Sequence, residues 1–145
     1  MADKDERSVM NHLIALCKDE ELALRYAADH VKDPAIKTLL AEVAAERAQF
    51  ATDLLAHALR LGGAAAADGT TRGALHRAWL AMKDAVIGSN DKAMIAEAEH
   101  GEDVALATYE STLNDMLLPT ARDLIERQRA DIRTAHDRVR TLMAH

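Results

Sequence analysis

The chain has 145 residues, which is enough for one domain with a full core and too few for two comfortable ones. Hydrophobic residues make up 49% and charged residues 29% of the chain, but aromatic residues only 3%, so little is available to build β-sheets. The formal net charge of -6 argues against the basic face that nucleic-acid binding requires. We therefore expect one all-α domain over residues 1–145, without a nucleic-acid partner.

The chain shows no signal for secretion or membrane insertion. Its first residues, "MADKDERSVM", are charged and lack an apolar segment, and nowhere do 18 apolar residues follow one another. The single cysteine, Cys17, lies on an apolar stripe and is interpreted as a small core residue. We expect a cytoplasmic protein that has no membrane partner.

Two long helices are predicted in the first part of the chain. The first runs from about residue 5 to residue 32, because this segment has no proline or glycine and its apolar residues recur at three- and four-residue steps. Asp33 is the predicted N-cap of the second helix, and Pro34 is its first residue. This helix continues until Gly62 and Gly63, so that the two helices form an antiparallel hairpin.

The second part of the chain predicts a matching hairpin. A third long helix runs from about residue 91 to residue 115, and Pro119 begins a fourth that reaches about residue 143. The connection between the hairpins, about residues 62–90, is long and includes a shorter predicted helix over about residues 74–87. A connection of this length favours a crossover that runs the height of a four-helix bundle.

One glutamate of the third helix is predicted to face the core. At 100° per residue, Glu102 lies at the centre of the arc formed by the apolar residues of that helix. Glu97 and His100, which have the spacing of a metal-binding Glu-x-x-His pair, lie about 140° and 160° from Glu102 and therefore face solvent. Glu99 lies about 60° to one side of Glu102.

All four helices offer polar groups at one depth of the bundle. At least one of Glu20 and Glu21 is expected to face inward on the first helix, and the periodicity does not choose between them. Glu46 on the second helix lies about a dozen residues from the first turn, or roughly 18 Å, and is level with them. The fourth helix offers His136 and other polar groups: Gln128 and Asp131. These acids either bind a cation, or lie at stripe edges and pair with arginines: Arg47, Arg129 and Arg133.

Seven motifs occur in the order and spacing of a known bacterial family: "CKDEE", "VKDP", "LGG", "GALHRAWLAMKDAVIG", "GEDVALATYE", "LLPTARDLIERQ" and "AHDRVRTL". From about Met10 to Met143 the chain resembles the ferritin-like four-helix-bundle proteins of domain of unknown function 2383. The resemblance implies a ferritin-like bundle and favours Glu21 over Glu20 as the inward acid. It also implies that position 100 faces outward.

The wider ferritin-like superfamily implies a di-iron site with single glutamates on two helices and Glu-x-x-His on the other two. The sequence matches this pattern in part, because Gln49 occupies the first histidine position and the fourth helix has no Glu-x-x-His. The candidate metal ligands are, together, Glu21, Glu46, Glu99, Glu102 and His136. They would hold iron, or manganese or zinc, in a protein of metal handling or oxidative stress.

The alternative hypothesis is a non-catalytic helical interaction or stress-related module whose site has lost its metal. The absent Glu-x-x-His motifs and the arginine-rich segment "ERQRADIRTAHDRVR" favour it. In that case the polar layer would be a network of arginine and glutamate. Under both hypotheses we expect a homo-oligomer, and a dimer in particular.

Overall fold

The computed structural model describes residues 2–60, 91–114 and 119–143. Within these ranges the chain forms four α-helices: α1 (Ala2–His30), α2 (Pro34–Arg60), α3 (Asp91–Leu113) and α4 (Pro119–Met143). The prediction of an all-α four-helix chain is confirmed. The predicted helix at about residues 74–87 and the glycine stop at residues 62 and 63 lie outside the described residues.

The beginning of α2 follows the predicted capping chemistry. The Asp33 carboxylate accepts hydrogen bonds from the backbone N–H of Ala35 at 2.8 Å and of Ile36 at 3.4 Å. Pro34 occupies the first helical position, where no N–H is needed. The sequence "KDP" therefore both ends the first helical pattern and starts the second.

The first residue of α3 lies beside the turn that joins α1 to α2. The Asp91 carboxylate accepts hydrogen bonds from the backbone N–H of Lys32, at 3.0 and 3.2 Å, and from that of Asp33 at 3.0 Å. Helix α2 ends at Arg60, about 40 Å away along its axis. The end of α2 and the start of α3 thus lie at opposite ends of the bundle, as the predicted crossover requires.

Each helix packs beside two others. Helix α1 contacts α2 and α3, and α4 contacts α3 and α2, so α1 faces α4 across one diagonal and α2 faces α3 across the other. The α1–α2 and α3–α4 hairpins pack most extensively. Side chains that reach across the diagonals therefore decide what the middle of the bundle contains.

Two apolar clusters fill the interior of the described bundle. The cluster near the α1–α2 turn includes Leu24, Val43 and Ile95. The cluster at the opposite end includes Leu13, Phe50 and Ile125. Four buried polar side chains, one from each helix, lie at the depth that the sequence predicts: Glu20, Arg47, Glu102 and His136. Gln128 is buried further along α4, between Ile125 and Ile132 of the second cluster.

Candidate functional site

A guanidinium group lies in the middle of the bundle. Arg47 is fully buried, and its Nε donates to Glu20 Oε1 on α1 at 3.1 Å while Nη1 donates to Glu46 Oε1 at 2.7 Å. Its Nη2 donates to Glu102 Oε2 on the diagonally opposite α3. The guanidinium carbon lies 5.3 Å from the centre of the Phe50 ring, a distance suited to a cation–π contact. We call Glu20, Glu46, Arg47 and Glu102 the charged layer.

The charged layer holds more negative than positive charge. Three carboxylates and one guanidinium carry a formal charge of -2 when all are ionised. Burial raises the pKa of Glu20 to about 8, although Arg47 opposes the shift. Burial likewise raises the pKa values of Glu46 and Glu102, and both shifts are again opposed by Arg47. Proton uptake is therefore one means by which the layer lowers its excess charge.

A second polar chain joins all four helices beside the charged layer. The Tyr109 hydroxyl of α3 donates to Gln128 Oε1 of α4 at 2.7 Å and lies 3.3 Å from Cys17 Sγ of α1. Gln128 Nε2 donates to the Phe50 carbonyl of α2 at 3.4 Å. Burial raises the pKa of Cys17 to about 12, so the thiol stays protonated at neutral pH. Cys17 is thus a core residue, as the sequence predicts.

The middle of the bundle does not fit the di-iron centre that the superfamily implies. Arg47 already occupies one oxygen of each carboxylate in the layer, and the four positive charges of two divalent ions would exceed the formal charge of -2 that the layer carries when ionised. At the position of the first histidine, Gln49 is exposed and donates to Asp53 Oδ1 at 2.9 Å. The fixed guanidinium supplies the charge compensation that a metal would otherwise supply.

A second group of side chains whose atoms could bind a metal ion lies between α3 and α4. The ligand atoms of Glu99, Asp103 and His136 all lie within 4.8 Å of one another, and we call these residues the surface triad. His136 Nε2 lies 2.6 Å from Asp103 Oδ1, and its side chain is 9% exposed whereas that of Asp103 is 54% exposed. Glu99 Oε2 is buried without a hydrogen-bond partner, and Glu99 Oε1 lies 3.8 Å from Arg140 Nη2.

The structure divides the five predicted ligands among three places. Glu46 and Glu102 lie in the charged layer, and Glu99 and His136 lie in the surface triad. Glu21 belongs to neither group, because its Oε2 accepts from Arg25 Nε at 2.8 Å on the surface of α1. Their metal binding stays a prediction, but they do not converge on one point.

The expectation that Glu21 faces inward is wrong. Glu20 is the buried acid of α1 and contacts Arg47, whereas Glu21 pairs with Arg25 one helical turn away on the outside. The predicted burial of Glu102 is confirmed, since its side chain is only 1% exposed. His100 is exposed as predicted, but Glu97 is half-buried.

Three residues of these groups were not among the predicted ligands: Arg47, Asp103 and Glu20, which the periodicity left as an alternative to Glu21. Arg47 was considered only as an alternative ion-pair partner, and the apolar stripe of α2 that it shares with Val43 and Phe50 was the available signal. Asp103 was overlooked because its own angle is outward. Asp103 lies four residues after Glu99, and this spacing brings both acids onto one face of a helix. That spacing could have identified Asp103 as a candidate ligand.

The described helices include none that is long and apolar enough to cross a membrane. The family described as domain of unknown function (DUF2383) matches residues 5–115 of the chain. No curated protein matches the sequence. In fold the chain is similar to a mutant of Dps1 from Mycobacterium smegmatis, with a TM-score of 0.79 and 11% sequence identity over 98% of this chain and 97% of that one. With most of its length matched by the family, the chain belongs to DUF2383 and has a ferritin-like four-helix fold.

Proposed function

We propose that this protein binds one divalent cation at the surface triad and has a metal-handling role, in oxidative stress or in supply of the metal. The observation that carries the proposal is the approach of two carboxylates and one imidazole to within 4.8 Å of one another. Mixed oxygen and nitrogen ligands suit iron, manganese and zinc. The unpartnered oxygen of Glu99 supports the assignment, since a buried carboxylate oxygen without a donor is stabilised by a cation.

The proposed metal site lies on the α3–α4 face and not in the middle of the bundle. Asp103 is exposed and gives an ion access from solvent, while His136 is held in place by burial. Arg140 lies 3.8 Å from Glu99 and is 66% exposed, so it can turn away into solvent when an ion binds. We propose that these residues bind a metal ion, and we propose no reaction at the site.

Equilibrium dialysis of tag-free protein against Fe²⁺, Mn²⁺ and Zn²⁺ tests this proposal. We expect about one equivalent of metal, and at least ~10-fold weaker binding in Asp103→Asn, because a ligand has been removed. Asp123→Asn is the matched control, since Asp123 is an exposed aspartate on α4 outside the triad. Equal affinity of the two variants, or less than about a tenth of an equivalent in the unaltered protein, would refute the metal site.

Arg47 favours a second candidate function, a metal-free helical interaction module. Its guanidinium compensates the central carboxylates without a metal, as the alternative hypothesis anticipates. Anomalous scattering from crystals grown with manganese and without chelators separates the two. A peak beside His136 favours the metal protein, and a featureless map favours the interaction module.

We also propose that the protein forms a homodimer in the bacterial cytoplasm. Three apolar side chains of the described helices are exposed and could contribute to an interface: Leu22, Leu59 and Val104. Light scattering coupled to size-exclusion chromatography measures the mass directly. A mass near 15.8 kDa at micromolar concentration would contradict the dimer.

A further inference from the structure

A cleft of about 510 Å³ opens between α1 and α3. Its apolar walls include Leu16, Ala23, Ala98 and Val104. This volume is within the range of small-molecule sites in proteins, which are mostly apolar with a few polar groups that fix the ligand. The cleft is therefore large enough for an organic ligand rather than a bare ion.

Two acids of the charged layer line this cleft. Glu20 and Glu102 each give one carboxylate oxygen to Arg47, which leaves the other oxygen of each for a different partner. Glu102 Oε1 is buried without a hydrogen-bond partner, and the side chain as a whole is almost inaccessible to solvent. A buried carboxylate oxygen without a donor is costly, so a donor that entered the cleft would relieve that cost.

Gly101 keeps the approach to Glu20 open. A Cβ atom at this position would lie 3.8 Å from Glu20 Oε2, and no other atom of the described residues outside α3 would lie within 4 Å of it. Any longer side chain at position 101 would extend toward the carboxylate. The absence of a side chain there leaves room for a ligand beside Glu20.

The charge of the layer selects the sign of the ligand. When its acids are ionised, its formal charge of -2 attracts a cation and repels an anion. Two further acids, Asp19 and Glu97, and two imidazoles, His12 and His100, also line the cleft. A bare metal ion would leave the apolar walls without a partner, whereas an organic cation would cover them.

We propose that the cleft between α1 and α3 binds an organic cation, a primary ammonium group on a hydrocarbon body, through Glu20 and Glu102. The ammonium donates to Glu20 Oε2 and Glu102 Oε1, and the hydrocarbon packs against the walls near Ala98 and Val104. Arg47 holds the two carboxylates in position by donating to the other oxygen of each. This site is distinct from the surface triad and does not depend on a metal there.

Isothermal titration calorimetry with hexylammonium chloride tests the proposal at pH 9, where Glu20 is mostly ionised and the amine is still protonated. We expect saturable binding of one equivalent and at least tenfold weaker binding of hexan-1-ol, which has the same hydrocarbon body without charge. Glu20→Gln and Glu102→Gln should each weaken hexylammonium binding about tenfold, because each loses a charge-assisted hydrogen bond. Glu21→Gln is the matched control, since it makes the same change one residue away and outside the cleft.

A further variant keeps the test independent of the folding of Glu102→Gln. Gly101→Met fills the cleft without removing a charge, and it should abolish hexylammonium binding while circular dichroism shows an intact helical fold. Binding of hexan-1-ol as tight as that of hexylammonium would overturn the proposal. So would unchanged binding in Glu20→Gln and Gly101→Met, or displacement of hexylammonium by MnCl₂ in the Asp103→Asn background, which would indicate a metal site in the cleft.

Discussion

The Arg47 guanidinium has no contact with solvent, and its donors reach carboxylates on α1, α2 and α3. A charge so placed costs several kcal/mol of desolvation, which is repaid only when its hydrogen bonds are satisfied. Three carboxylate partners and the face of the Phe50 ring meet this requirement. The acids therefore depend on the arginine, and its removal alone would leave buried carboxylates without a counter-charge.

Arg47→Leu should lower the free energy of unfolding by about 3–5 kcal/mol at pH 7, because it leaves buried carboxylates without a counter-charge. Urea unfolding followed by circular dichroism measures the change. Arg25→Leu is the control, since the Arg25 side chain is 52% exposed and pairs with Glu21 on the surface of α1. The control should stay within about 0.5 kcal/mol of the unaltered protein. A loss below about 1 kcal/mol in Arg47→Leu would show that the layer is hydrated and not truly buried.

Glu20 should give the protein a pH-dependent stability. Its pKa is raised from 4.5 to about 8 in the folded chain, so between these values the folded state binds a proton that the unfolded state has lost. The stabilisation from this group is fully present below pH 4.5 and is lost as the pH rises through about 8. The charged groups that act on Glu20 are Arg47, Glu102 and Asp19.

Urea midpoints of the unaltered protein and of Glu20→Gln, measured from pH 5 to pH 9, isolate this contribution. The variant should gain stability relative to the unaltered protein as the pH rises, because glutamine has no proton to lose. Glu21→Gln should follow the unaltered protein throughout, since Glu21 is on the surface. Parallel curves for Glu20→Gln and the unaltered protein would contradict the raised pKa.

The burial of a residue was predicted correctly where its angular position on one helix was sufficient to determine it. Glu102 lies at the centre of an apolar arc and is buried, as its position in the helix requires. Glu20 and Glu21 straddle the arc of α1, and the choice between them depends on Arg47, whose contacts no single helix encodes. Partner choice among charged side chains is a property of the packed bundle, so the sequence alone left it open.

At the scale of elements, helix starts were predicted most accurately. Pro34 and Pro119 are the first residues of α2 and α4, as their fixed φ and missing N–H indicate. Helix ends were less certain: α3 ends at Leu113 rather than near residue 115, and α1 at His30 rather than near residue 32. Helix ends fray and depend on local capping, which apolar periodicity does not report.

Asp91→Ala should destabilise the protein by about 1–2 kcal/mol, because the carboxylate accepts backbone hydrogen bonds from Lys32 and Asp33. These bonds attach α3 to the α1–α2 turn, so amide hydrogen exchange at Lys32 and Asp33 should become faster. Asp29→Ala is the control, because Asp29 is an exposed aspartate near the same turn. Unchanged exchange at both amides would show that the turn is held by other contacts.

Gly101→Ala should stabilise α3 by about 0.5–1 kcal/mol, since glycine within a helix is less favourable than alanine by that amount. The new methyl group would meet only Glu20 Oε2, at an ordinary contact distance of 3.8 Å. Ala96→Gly, on the exposed face of the same helix, should cost a similar amount. Thermal melts measure both. A lower melting temperature for Gly101→Ala would mean that the Glu20 carboxylate does not tolerate the methyl group.

At the scale of the whole molecule, the charged layer separates two apolar clusters that could otherwise form one continuous core. The four-helix architecture was predictable because apolar periodicity and prolines mark each helix. The position of α3 relative to the first turn followed from the length of the connection. The content of the middle layer did not follow, because carboxylates at one depth are compatible with either a metal or an arginine.

A triple variant distinguishes stability from function in this layer. Replacing Glu20, Arg47 and Glu102 together with Met should leave the protein equally stable or more stable by about 1–4 kcal/mol, because a buried ion-pair cluster is often no better than apolar residues of similar volume. Glu46 would remain, but its side chain is 34% exposed and can be hydrated.

Urea unfolding at pH 7 and hexylammonium titration should be measured together. We expect the triple variant to fold cooperatively, to exceed Arg47→Leu in stability by several kcal/mol and to lose hexylammonium binding. A triple variant less stable than Arg47→Leu would show that the ion pairs stabilise the bundle. A stable variant that no longer binds the amine would instead indicate that the acids serve ligand recognition, at a cost in stability that an apolar core avoids.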